Sequence, residues 1–189
     1  MNHIYQQPQF GENWFTYPQL YSRFVRELAD GSHMVEVGCW KGKSIAYLAV
    51  EIVNSGKSIK VDAVDTWSEM ESEAYHKTDT YVKTNTLYQL FCSNISPVSG
   101  IVNPIRMKST DAANLYEDAS VDVVFIDACH EYDCVKEDIN AWLPKVKEGG
   151  YLAGHDYSWS EDVARAVKEL LPDIQETEGC WVYRKPKTS

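Results

Sequence analysis

The chain has 189 residues, with 18 Lys+Arg against 28 Asp+Glu and a formal net charge of −10 at pH 7, the size of one ordinary domain. Hydrophobic residues at 44% and aromatics at 12% supply the apolar surface of a core, which excludes an intrinsically disordered chain, and no period of about 20 to 50 residues points to a solenoid. The acidic balance argues against nucleic acid, because attraction to phosphates needs a clustered basic face and only Arg184, Lys185 and Lys187 bunch together.

No membrane partner is expected either. The longest apolar stretch, residues 45–53, is interrupted by Glu51 and falls far short of the roughly 20 residues of a span. Residues 1–10 are polar and Gln-rich, unlike a signal peptide, so the expected compartment is the cytoplasm. Cys39, Cys92, Cys129, Cys134 and Cys180 form an odd set with no C-x-x-C pair, which suits reduced thiols better than a disulfide framework or a zinc cluster.

In chain order, helical periodicity and short β-branched runs alternate. A helix is predicted over residues 17–28, inside an N-terminal helical segment at residues 1–30, followed by a strand at 34–37, a helix at 43–53 and a strand at 60–64. Residues 68–80 are polar and longer than most connections in α/β units, which makes them the candidate lid. A helix at 81–93, a strand at 105–108, a helix at 111–116, a strand at 121–126, a helix at 132–146, a strand at 151–153 and a helix at 161–171 follow. Residues 174–177 and 180–184, joined at Glu178-Gly179, read as an antiparallel hairpin. The near-continuous apolar run at 121–126 is that of a strand buried on both faces. The fold class predicted for residues 1–189 is therefore a single α/β domain, Rossmann-like and doubly wound, with a mostly parallel seven-stranded sheet and a C-terminal antiparallel hairpin.

The first strand ends in the turn Gly38-Cys39-Trp40-Lys41-Gly42 and opens a helix, so free helix N–H groups face the carboxyl edge of the sheet, where open α/β folds bind ligands. A dinucleotide turn would place glycine where Trp40 stands. A triphosphate loop is echoed by Gly42-Lys43-Ser44 and by the strand ending at Asp127, yet the loop from Gly38 to Gly42 is one residue short. A sulfonium cofactor, S-adenosylmethionine, prefers carboxylates near its charge. Glu36 at the end of the first strand and Asp65 at the end of the second supply them, Asp65 being placed to accept from ribose hydroxyls.

The motifs Glu36-x-Gly38-x-x-x-Gly42-x-Ser44, Val64-Asp65-Thr66-Trp67, Asp127-x-x-His130 and Gly149-Gly150-x-x-x-Gly154-His155-Asp156 resemble, in matching order, those of class I S-adenosylmethionine-dependent methyltransferases. More narrowly they resemble the branch of metal-dependent sugar O-methyltransferases and cephalosporin hydroxylase relatives. The resemblance implies cofactor contacts from Glu36, Gly38, Gly42, Ser44, Asp65, Trp67, Ser109 and Asp127, although Lys108 precedes Ser109 where an acidic residue is usual. It also implies metal ligation by Asp127 and Asp156 and proton removal by His130.

The residues themselves support that chemistry. Asp127 and Asp156 close the fourth and fifth predicted strands, so both emerge beside Gly38. Two carboxylates, with His155 or water completing the shell, suit Mg²⁺, and such an ion lowers the pKa of a bound hydroxyl. His130, three residues past Asp127, is the candidate base. The bland alternatives are that Asp127 caps the following helix, that His130 is a structural hydrogen-bonding residue, and that His155 orients Asp156. The aromatics Trp14, Phe15, Tyr17 and Tyr21 either line a substrate pocket or pack a helix onto the sheet. The expected function is transfer of a methyl group from S-adenosylmethionine to a hydroxyl of a small molecule, a sugar being the first guess, with a second subunit able to complete the site as a homo-oligomer. A P-loop-like nucleotide-binding protein and a cofactor-binding module without catalysis are the alternatives.

Overall fold

The computed structural model describes residues 1–68 and 77–187. Seven strands, β1 (His33–Val37), β2 (Lys60–Asp65), β3 (Val102–Arg106), β4 (Val121–Ile126), β5 (Val146–Gly154), β6 (Gln175–Thr177) and β7 (Cys180–Arg184), form one sheet in the order β3-β2-β1-β4-β5-β7-β6. Strands β1 to β5 run parallel, while β7 is antiparallel to both β5 and β6, so the predicted hairpin closes one edge. Helices α1 (Pro18–Glu27), α2 (Lys43–Ser55), α3 (Thr80–Lys83), α4 (Leu87–Asn94), α5 (Ser109–Ala113), α6 (Tyr132–Trp142) and α7 (Glu161–Leu170) complete the described elements. None of the described helices is long and apolar enough to cross a membrane.

The sheet is buried on both faces because its central strands are apolar at most positions on both sides. Val123 and Phe125 of β4 pack in one core with Phe24 of α1 and Ile45 and Leu48 of α2. Their neighbours Val124 and Ile126 point the other way, into a second core with Ile139 of α6 and Val167 of α7. Strand order reverses at β1, which pairs with β2 on one side and β4 on the other. A crevice therefore opens at the carboxyl ends of those strands, and the Gly38 turn, Asp65 and Asp127 all sit at it.

Several boundaries differ from the predicted ones. β3 lies at Val102–Arg106 instead of 105–108, because Pro104, a strand breaker inside a sheet, is tolerated on this edge strand. The helix expected over 81–93 is two helices, α3 and α4, broken where Asn85 takes φ 52°. Helix α6 stops at Trp142, ahead of Pro144 in the 3₁₀ turn Leu143–Lys145. β5 begins at Val146, five residues before the predicted 151, because its pairing with β4 shifts register through the Gly149-Gly150 step. Within the candidate lid, residues 69–76, including the acidic run Glu69, Glu71 and Glu73, lie outside the described residues. The end that is described is anchored: Asp79 caps α3 and pairs with the buried Lys41 of the glycine turn at 2.7 Å.

Candidate active site

The glycine turn is shaped by the protein itself. Gly38 has φ 86°, and a Cβ built on it would fall 2.0 Å from the backbone oxygen of Asp127, so only glycine lets β1 and the end of β4 close up here. Gly42 has φ 85° and begins α2; its Cβ would press Phe91 and Ile95 at 3.0 to 3.1 Å. Between and after these glycines, Trp40 and Trp67 hold φ 47° and 46°, strained for bulky residues. Asp65 holds both. Its Oδ2 accepts from the N–H of Cys39 and of Trp40 at 2.8 and 2.9 Å, its Oδ1 from the N–H of Trp67 at 2.7 Å, and the Trp67 indole N–H donates to the Trp40 carbonyl.

The crevice encloses a cavity of about 810 Å³. Gly38, Ser44, Asp65, Ser109, Asp127, His130, His155 and Asp156 line it, whereas Glu36, Gly42 and Trp67 do not. These three shape the turn from behind. Trp67 is buried against Tyr88 and Phe91, with ring centroids 4.9 and 4.6 Å apart, away from the cavity wall. Glu36 is fully buried and accepts from Ser44 Oγ at 2.5 Å and Tyr21 OH at 2.6 Å. Burial pushes its carboxyl up to about 8, against the pull of those two hydroxyls. Glu36 thus turns its carboxyl to Ser44 and Tyr21 behind the turn instead of to the cavity.

At the chemical end, Tyr17 OH donates to Asp127 Oδ2 at 2.8 Å, and the Asp127 N–H bonds the Val37 carbonyl at 2.7 Å. Asp127 does not cap α6, whose N-cap is Glu131. Asp156 adopts φ 59° just past β5 and pairs through Oδ2 with His130 Nε2 at 2.9 Å and with His155 Nδ1 at 3.2 Å. His155 is buried, lies 3.7 Å from Asp127 Oδ1 and meets Thr16 Oγ1 through Nε2 at 3.0 Å. Burial pulls its imidazole down, but Asp127 and Asp156 outweigh that and hold it at about 10. Burial of Asp156 acts upward, and His130 and His155 overcome it, holding the carboxyl well below the usual carboxylate range.

The metal-ligand set changes accordingly. Ligand atoms of Asp127, His130 and Asp156 all lie within 4.8 Å of one another. His155 falls outside that group; its ring nitrogens face Asp156 and Thr16, and it ties the two aspartates together.

Sequence reasoning leaves Trp14, Phe15 and Tyr17 open between pocket and core, and misses Thr16 and Asp138 on the cavity wall. Thr16 and Tyr17 come from the segment before α1 and bond two site residues more than a hundred positions away. Trp14 and Phe15 join them on the cavity, while Tyr21 packs inward on Glu36. Asp138 on α6 is buried at the cavity beside Ser109, and burial raises it to about 6. An acid among Val135, Ile139 and Trp142 on the buried face of that helix was the signal available in the sequence. The thiol of Cys129 is pushed up to about 12 by burial and by its contact with Cys134, so it is no nucleophile. Lys43, which a triphosphate loop would aim at its ligand, donates instead to the carbonyls of Gly11 and Glu12 at 3.2 and 2.8 Å.

The family model described as a methyltransferase domain matches residues 35–157, from β1 through the Asp156 turn. The uncharacterized protein R132 of Acanthamoeba polyphaga mimivirus is 40% identical over 58 residues, 29% of this chain and 26% of that protein. The chain spans about a quarter or less of the length of the curated relatives it matches. Among solved structures, the O-methyltransferase NovP superposes with a TM-score of 0.70 at 14% identity, covering 91% of this chain and 80% of that one. A S-adenosylmethionine-dependent O-methyltransferase from Thermotoga maritima does so with a TM-score of 0.61 at 16% identity, covering 94% and 69%. At these identities the two structures speak for the fold, and the matched segment speaks for the family: the chain belongs to the methyltransferase domain family.

Proposed function

We propose that the chain transfers the methyl group of S-adenosylmethionine to a hydroxyl of a small molecule, with a sugar hydroxyl as the first acceptor class to test and a divalent ion of the Mg²⁺ kind as a second cofactor. The observation that carries this reading is the convergence of Asp127, His130 and Asp156 at the cavity beside the glycine turn. Two carboxylates are a donor set that fits a hard ion keeping several waters. Asp127 and Asp156 would hold it, and when bound such an ion polarises the acceptor hydroxyl and lowers its pKa.

The remaining work falls to side chains. His130 takes the hydroxyl proton on Nδ1, and Asp156, 2.9 Å from Nε2, stabilises the imidazolium that results. The acceptor oxygen forms its bond to the methyl carbon as the carbon–sulfur bond breaks and the electron pair returns to sulfur, leaving neutral S-adenosylhomocysteine. Positioning supplies the rest: Asp65 fixes the cofactor turn, and Tyr17 and His155 fix the two aspartates. A cavity of about 810 Å³ lies within the usual range for small-molecule sites, which fits a cofactor and a small acceptor better than a polymer.

The test is methyl transfer from labelled S-adenosylmethionine to a panel of sugars, phenols and amines, with and without chelator. Labelled product from hydroxyl acceptors alone, lost with chelator and restored by Mg²⁺, supports the reading. Transfer to amines alone, or transfer indifferent to chelator, overturns the acceptor or the metal respectively.

A further inference from the structure

Cys129, Glu131 and Cys134 take no part in the chemistry above. They follow Asp127 on the loop into α6 and its first turn, and their ligand atoms, two sulfurs and a carboxylate oxygen, all lie within 4.8 Å of one another. Both cysteines line the cavity, and Glu131 is exposed.

We infer that these three residues form a second cation site, for a soft d¹⁰ divalent ion of the zinc class. The donor set is the reason: thiolate sulfur selects such ions, whereas carboxylate and water select Mg²⁺. The surroundings favour a cation. Both sulfurs sit at the N-terminal end of an eleven-residue helix, where the helix dipole and free amides support thiolates once an ion displaces their protons, and Asp133 and Glu137 add negative charge nearby. Binding is a substitution without redox change: two thiol protons leave to solvent as two metal–sulfur bonds form. Three protein ligands would leave a tetrahedral ion with a fourth position for water. The site differs in chemistry from the group of Asp127, His130 and Asp156, although the two share a loop, and the four-residue gap between the cysteines hid it from a search for C-x-x-C pairs.

Cd²⁺ is the probe, because its bonds to thiolate absorb in the ultraviolet. The reduced full chain, stripped with chelator, is titrated with Cd²⁺ in the presence of a large excess of Mg²⁺. The expected result is a saturable charge-transfer band that Mg²⁺ does not displace, that persists in Cys92→Ser, and that is lost or shifted to at least about a hundredfold weaker binding in Cys129→Ser and Cys134→Ser, more than outer partners of a metal cost. Glu131→Gln, at an exposed position, keeps the band with affinity lowered about tenfold or more, so the site is tested even if Cys129→Ser fails to fold. Absence of the band, its persistence at full affinity in Cys134→Ser, or its displacement by Mg²⁺ overturns the proposal.

Discussion

Gly38 and Asp127 touch through the main chain: the space a Cβ on Gly38 would fill is occupied by the carbonyl oxygen of Asp127, 2.0 Å from it. The glycine that opens the cofactor turn and the aspartate of the chemical end are thus one packed unit. Gly38→Ala must both move that carbonyl and place alanine at φ 86°, each costing of order 1 to 3 kcal/mol. A denaturant titration should show a loss of at least about 2 kcal/mol, and a variant as stable as the parent would contradict the close approach.

Asp65 carries strain as well as a candidate ribose contact. Because its carboxylate accepts from three backbone N–H groups and pins Trp40 and Trp67 in the left-handed region, Asp65→Ala should weaken S-adenosylhomocysteine binding about tenfold or more, the loss of roughly 1.5 kcal/mol of charged hydrogen bonding. The same variant should lower the melting temperature. Calorimetry reads the first and a thermal scan the second; unchanged affinity with lowered stability would leave Asp65 a purely structural residue.

Glu36 sets a pH dependence of stability. Its carboxyl titrates near 4.5 in the unfolded chain and at about 8 in the fold, so the folded state holds a proton that the unfolded state releases. Stability from this group is fully present below about 4.5 and is lost as pH rises through about 8. Glu36→Gln removes that loss. Its stability relative to the parent should rise between pH 5 and 9, by up to a few kcal/mol, and an advantage that is flat across this range would show that Glu36 is ionised in the fold.

Much of this arrangement is legible in the sequence. The Val121–Ile126 run announces a strand buried on both faces, and Asp65, Asp127 and Asp156 stand at strand ends where chemistry gathers. What the sequence conceals is contact at long range. Nothing periodic links Tyr17 to Asp127 or Thr16 to His155, and the aromatic cluster from Trp14 to Tyr21 reads equally as core. Nor does spacing tell which strand-end acid faces the cavity: Glu36 turns inward because Ser44 and Tyr21 converge on it, while Asp65 turns toward the turn's amides. The β3 boundary is hidden by Pro104, since a sequence does not say which strand lies at an edge.

For His130 as general base, His130→Ala should lower turnover by about 10²- to 10⁴-fold while leaving S-adenosylhomocysteine affinity within about twofold of the parent. Single-turnover methyl transfer beside calorimetry separates the two quantities. Equal turnover in parent and variant would remove His130 from the chemistry, and would favour a module that binds the cofactor and acts through a partner.

The most direct test of the account is calorimetric titration of the purified chain with S-adenosylhomocysteine, beside MgATP and NAD, with and without added Mg²⁺. Saturable binding of S-adenosylhomocysteine, weakened in Asp65→Ala, with no heat from MgATP or NAD, is the predicted result. Saturable binding of MgATP without binding of S-adenosylhomocysteine would contradict it and make the Gly38 turn a phosphate site.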